Sequence, residues 1–253
     1  MKILASKREY PTYEDYKASG EYSDSQLATI GRALEQGVSP RAVSLLANPE
    51  FTPDQMEVIL DGLVELPLGQ VASYADPNNS YKYMRYMFRI YSENIPDEVI
   101  SLVENYTSNE DLRYNLIRRY GNRCCDEDTL RRYLNPKYPE QFIFYLADQI
   151  GSDGADAVLT LYDKYPKVLE DSNIYLAYNL NNLFDELGFF DEFRDLPHRL
   201  LHTELSDAQM AYILECIEMW DAGDLPLDLL YSFIDPNMSV EDMEHEVEAW
   251  KNR

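Results

Sequence analysis

The chain has 253 residues, with 46 Asp and Glu against 22 Lys and Arg, a formal net charge of −24, three cysteines and three histidines. Such a length can bury a substantial core, and no segment is apolar for long enough to span a membrane. A charge of this sign repels nucleic acid at long range and attracts basic partners.

The opening MKILASKREYP carries charges where a signal peptide needs an apolar stretch, so a cytoplasmic setting is expected. Residues 1–21 read as a lead-in. The phrase YSDSQLATI then has the chemistry of a helix start: Ser23 as N-cap with Gln26 three residues on, and Tyr22 with Leu27 as the hydrophobic staple. The helix is expected to stop at Gly37, with Ser39 and Pro40 opening a shorter one that ends at Asn48-Pro49. FTPDQMEVI repeats the device, with Thr52 and Gln55 as the box, Phe51 and Met56 as the staple and Pro53 at the first helical position. That second unit ends at Asp76-Pro77, so residues 22–80 hold two helical repeat units. An Asn or Asp before proline is driven out of the helical region and can accept from its own downstream backbone, which ends one helix and aims the next.

Residues 81–203 read as an irregular helical middle, with starts expected after Asn94 at Pro96, at Ser108, at Asp126 and at Pro139, and a further Asn135-Pro136 turn. Later helices are expected over 154–165 and 173–187. Tyr81, Met84, Phe88 and Tyr91 recur at helical spacing and read as a core stripe. Interleaved with them are Lys82, Arg85 and Arg89, followed by Arg113, Arg118, Arg119, Arg123, Arg131 and Arg132, a candidate basic patch for an RNA backbone. Cys124 and Cys125 are neighbours, and three thiols cannot all pair, so no structural disulfide is expected. His198 and His202 lie four apart with Asp195 a turn earlier, a spacing that can hold a metal; without a third ligand in view, the expected role is a helix end favourable to partial positive charge.

Residues 204–253 read as a third repeat unit plus a capping helix. LSDAQMAYI supplies Ser206, Gln209, Leu205 and Met210, and MSVEDM a weaker copy with Ser239 and Asp242. From cap to Asx-Pro turn the three units take 25, 24 and 29 residues, a surplus of about one helical turn placed in CIEMWDA. This segment is intensely acidic: residues 151–253 hold 23 Asp and Glu against 6 Lys and Arg. Asp221, Asp224, Asp228, Asp235, Glu241, Asp242, Glu244, Glu246 and Glu248 form the candidate partner-binding face. Five carboxylates over residues 241–248 give one per about 2.4 Å of helix axis, near the one charge per about 1.7 Å of duplex DNA.

The stretch GRALEQGVSPRAVSLLANPEFTPDQMEVILDGL resembles a tandem helical repeat, with a Gln-Met start and an Ala-Asp-Pro-like end, of uncharacterised proteins of gut Firmicutes mobile elements. The resemblance covers residues 22–80 well and 204–250 more loosely; it implies an α-solenoid-like build and a genetic setting, and carries no settled activity. The fold expected is all-α, an array of helix pairs with an irregular centre. Phosphate-binding glycine loops and the serine-hydrolase elbow are absent from the sequence, so neither catalysis nor a cofactor is expected.

The leading functional expectation is a non-enzymatic acidic interaction protein. Combined with the setting, it becomes an inhibitor of anti-CRISPR or anti-restriction type, a DNA mimic occupying the nucleic-acid channel of a host defence protein. A scaffold or adaptor that binds a protein without mimicry, and an RNA binder using the arginine-rich middle, are the alternatives. The plain alternative for the acidic residues is a solvated face that keeps the protein in solution.

Overall fold

A computed structural model describes residues 10–171, 180 and 196–252. All regular structure among them is α-helical, in an all-α helical-repeat array. The chain divides into two compact units, Met1–Asn122 and Arg123–Arg253, a boundary inside the segment read from sequence as one irregular middle. The expected helix over 173–187 and Asp195 lie outside the described residues.

The first unit contains α1 (Tyr13–Ser19), α2 (Asp24–Glu35), α3 (Pro40–Leu46), α4 (Pro53–Glu65), α5 (Leu68–Tyr74), α6 (Tyr81–Ser92), α7 (Asp97–Tyr106) and α8 (Glu110–Gly121). The long helices pack in series, α2 on α4, α4 on α6 and α6 on α8, with the shorter helices beside them. Ile30, Val43, Leu46, Met56, Ile59, Val71, Tyr74 and Met84 form one buried cluster across the series. In the second unit are α9 (Glu127–Tyr133), α10 (Glu140–Leu146), α11 (Asp153–Lys164), α12 (Pro166–Asp171), α13 (Leu196–His202), α14 (Asp207–Asp221), α15 (Leu227–Ser232) and α16 (Val240–Lys251). At 15 residues α14 exceeds α2 (12) and α4 (13), which places the surplus turn of the third unit where the spacing predicted it.

Each of the four anticipated capping boxes forms, and α1 adds a fifth through Thr12 and Asp15. The glutamines do more than close the box. Gln55 accepts the Thr52 N–H at its Oε1 (2.7 Å), and its Nε2 donates to the carbonyls of Pro77 (3.1 Å) and Asn79 (2.6 Å), at the turn that begins the next unit. Gln26 donates in the same way to Pro49 and Phe51, and Gln209 to Asp235, Pro236 and Met238. One side chain thereby satisfies a helix start and the backbone of the turn packed against it. The three glutamines are 5–8% exposed, so unpaired amides here would carry a full desolvation cost. Asp15 and Asp242 are exposed and close their boxes as acceptors, since a carboxylate has no N–H to donate to the carbonyls of a neighbouring turn.

The Asx-Pro turns share one geometry. The side-chain oxygens of Asn48, Asp76, Asn135 and Asp235 each accept the N–H two residues on, at 2.9–3.1 Å. Each is followed four residues later by an N-cap position: Thr52, Ser80, Pro139 and Ser239. The middle is therefore more regular than its sequence suggests. The left-handed residue that closes a long helix is Gly37 (φ 77°) after α2 and Gly223 (φ 80°) after α14, but Asn94 (φ 50°) after α6 and Arg123 (φ 58°) after α8. The N–H groups of Val38, Ile95 and Asp224 reach back five residues to Ala33, Ile90 and Met219, the bond of a Schellman ending.

Two details differ from expectation. The cap of α8 is Asn109, not Ser108; its longer side chain accepts from both Asp111 N (3.0 Å) and Leu112 N (3.2 Å). Tyr81, the first residue of α6, is 41% exposed instead of joining the core stripe with the buried Met84.

Replacing the amide of Gln55 by a carboxylate tests the bridge. Gln55→Glu keeps the box acceptor but sets an anionic oxygen against two carbonyls, and we expect a loss of roughly 2–4 kcal/mol. Asp242→Ala, which removes an exposed cap partner, should cost no more than about 1 kcal/mol. Urea unfolding with hydrogen exchange over residues 52–80 separates the two.

Candidate functional site

The arginine-rich patch is divided between the two units. Lys82, Arg85, Arg89, Arg113, Arg118 and Arg119 belong to the first unit, Arg131 and Arg132 to the second. Most have internal partners. Lys82 pairs with Asp111 (2.6 Å), Arg89 with Glu93 (2.7 Å), Arg131 with Glu127 (2.5 Å) and Arg132 with Asp156 (2.5 Å). Arg113 donates through Nε to the Thr107 carbonyl (2.7 Å) and from its terminal nitrogen to Glu104 O (3.3 Å). Arg118 and Arg119 also have interaction partners, and Arg123 takes the left-handed position after α8. Several pairs cross between helices, as Lys82–Asp111 does from α6 to α8 and Arg132–Asp156 from α9 to α11, so these charges serve the packing of helix on helix. Arg32 and Glu57 form the equivalent link from α2 to α4. Burial pushes the Glu57 carboxyl up, but hydrogen bonds from Arg32 and Thr29 outweigh it and hold the group below its usual range.

One cleft opens beside this set, between α6 and α8, with a volume of about 400 Å³. Tyr81, Lys82 and Arg85 line it from α6; Asp111, Tyr114 and Asn115 line it from α8 at helical spacing. Burial opposes ionisation of the Tyr114 phenol, yet hydrogen bonds from Arg85 and Arg89 prevail and lower it below the ordinary tyrosine value. Asp61 moves the other way: burial raises its carboxyl, while Arg85 only partly opposes that.

The acidic residues behave differently. All nine face residues, Asp221, Asp224, Asp228, Asp235, Glu241, Asp242, Glu244, Glu246 and Glu248, are exposed, and none is in an ion pair among the described residues. They lie on the end of α14, the following loop, α15, the Asx-Pro turn and α16, all in the second unit. Two also have structural duties: Asp235 accepts from Asn237 N (2.9 Å), and Asp242 accepts the Ser239 hydroxyl (2.8 Å). On α16, Met243 and Val247 are buried and Trp250 half-buried, so this one stripe packs and the carboxylates occupy the remainder of the helix. Residues 207–252 contain twelve carboxylates and a single Lys or Arg, Lys251, whose Nζ lies 3.6 Å from Met219 Sδ.

The structure adds Glu215 to this surface, a residue the sequence reading passed over. Burial, then Cys216, Glu244 and Glu215, push the Tyr212 phenol up to about 12, which places carboxylates of α14 and α16 around the same ring. Helical spacing from Gln209 identifies which residues of α14 face the core, but the approach of α16 to its outer side needs the tertiary packing.

The histidines of α13 are both exposed, with ring centroids 4.2 Å apart. Among the described residues no group of three or more His, Cys, Asp or Glu is arranged to hold a metal. None of the three cysteines is in a disulfide: Cys124 is exposed, Cys125 half-buried, and Cys216 buried, its thiol pushed up to about 12 by burial first and Glu215 second.

Comparison with known proteins finds no matching family, no similar curated protein and no similar solved structure.

Because most of these cations are engaged internally, we expect no retardation of single- or double-stranded RNA or DNA in mobility-shift assays at moderate salt. Alkylation at pH 8 followed by mass spectrometry should label Cys124 rapidly and Cys216 only once the second unit unfolds, since the thiolate and not the thiol reacts.

Proposed function

We propose that the chain is a non-enzymatic interaction protein whose acidic C-terminal surface engages a basic, nucleic-acid-binding surface of another protein. The observation that carries this reading is a contrast in how charge is handled. Long helices of the first unit are joined by ion pairs such as Lys82–Asp111, whereas residues 207–252 leave twelve carboxylates facing one cation. Like charges held close repel, and this opposes folding. Solubility alone needs far less than a net charge of −24 on a domain of this size.

The spacing of the charges supports a basic groove as the target. The carboxylates of α16 follow one another at about 2.4 Å of axial rise, close to the charge density of duplex DNA, and surround a single apolar stripe that anchors the helix. A partner built for phosphates, with lysine and arginine side chains along a channel, offers the complementary pattern. Joined with the resemblance to mobile-element repeats, the finer form of the proposal is an inhibitor of a nucleic-acid-handling defence protein, acting by occupancy of its channel.

The test is capture from a host lysate with the full chain, followed by competition. Partners should be basic nucleic-acid-binding proteins, released by added duplex DNA. The combined variant Glu241→Lys, Glu244→Lys, Glu246→Lys and Glu248→Lys should lose them, with at least a tenfold loss of affinity for the purified partner. Retention that ignores both duplex and charge reversal would replace this reading with a scaffold that binds through another surface.

A further inference from the structure

The α6–α8 cleft takes no part in the acidic-surface reading, and its side chains are arranged in a particular way. Arg85 lines it and is exposed, its charge favours the phenolate of Tyr114 and the carboxylate of Asp61 on α4, and it is in no ion pair among the described residues. That is notable in a chain with twice as many acids as bases. The one carboxylate lining the cleft, Asp111, is paired with Lys82 at 2.6 Å.

A guanidinium presents five N–H donors in a planar fork. Such a fork matches the two oxygens of a carboxylate or of a phosphate. Around the fork stand the Lys82 ammonium, three residues earlier on α6, the Asn115 amide and two tyrosine rings, one of which, Tyr81, is 41% exposed. The cleft's volume, about 400 Å³, falls in the range of sites for small organic molecules, about 300–1,000 Å³. The overall charge restricts the choice further: a long polyanion meets the repulsion of the whole chain, while a small anion gains the short-range contacts without that cost.

We propose that this cleft binds a small organic oxyanion, a carboxylate or phosphate group carried on a flat aromatic body. The oxyanion bridges Arg85 and Lys82, and the ring lies against Tyr81. Binding would move Tyr114 as well: an anion on Arg85 competes for the guanidinium that favours the phenolate, so ionisation of the phenol shifts to higher pH.

The experiment titrates the full chain with benzoate, phenyl phosphate and the uncharged benzyl alcohol, followed by heteronuclear NMR and by tyrosinate absorbance. Saturable shifts confined to α6 and α8 are expected with at least one of the two oxyanions, and the stronger of them identifies the group. Benzyl alcohol should bind at least tenfold more weakly. Arg85→Gln should weaken the oxyanion at least tenfold and Arg85→Lys by less, with circular dichroism unchanged because Arg85 is exposed. The proposal is overturned if neither oxyanion saturates at millimolar concentration, if benzyl alcohol binds as well, or if Arg85→Gln binds like the unaltered chain. The comparison of charged and neutral probes decides the matter on the unaltered chain should a variant fail to fold.

Discussion

The array depends on a glutamine amide used at both ends. At Gln26, Gln55 and Gln209 the oxygen closes the cap of one helix, while the nitrogen holds the carbonyls of the turn leading into the next. A helix start leaves orphan N–H groups, and a tight turn leaves orphan carbonyls; packing the two together would bury both. Glutamine is long enough to reach across and carries one donor group and one acceptor, so it solves both problems from one position. Glutamate would supply only acceptors, and an aliphatic side chain neither. This is a direct link from sequence to packing, because the residue that marks a helix start also sets where the neighbouring unit sits against it.

Charge is partitioned in a related way. In the first unit it contributes to the stacking, with Lys82–Asp111 and Arg32–Glu57 each joining two successive long helices. Such half-exposed pairs contribute little stability individually, but they fix which faces meet. The last three helices have nothing equivalent among the described residues. Their carboxylates cluster around a buried stripe of Met243 and Val247 and, through Glu215 and Glu244, around Tyr212. The two units thus present different chemistries: a tyrosine- and arginine-lined cleft in one, an anionic surface in the other.

Much of the fold was legible because capping is local. Ser23, Thr52, Ser206 and Ser239 announce their helices within four residues, and the Asx-Pro pairs announce their turns. The regularity of the middle was hidden because the left-handed position that glycine fills after α2 and α14 is filled by Asn94 and Arg123 after α6 and α8. Neither residue stands out as a helix stop as glycine does. The cleft was half legible. Lys82, Arg85 and Arg89 were visible as a basic stripe on α6, but their neighbours on α8 are some thirty residues away in sequence, so the pairing that engages Lys82 with Asp111 and not Arg85 could not be read from it.

The sequence by itself determined the all-α class, the positions of the caps and turns, and the acidity of residues 207–252, since each follows from side chains acting on their own or adjacent backbone. Only the tertiary structure decided the rest: the division at Asn122, the second bond of each glutamine, the separation of the arginines between two units, and the meeting of Glu215 with Glu244 around Tyr212. These are contacts between residues more than twenty positions apart. No local propensity encodes them, and they appear once helices pack and each buried polar group must find its partner.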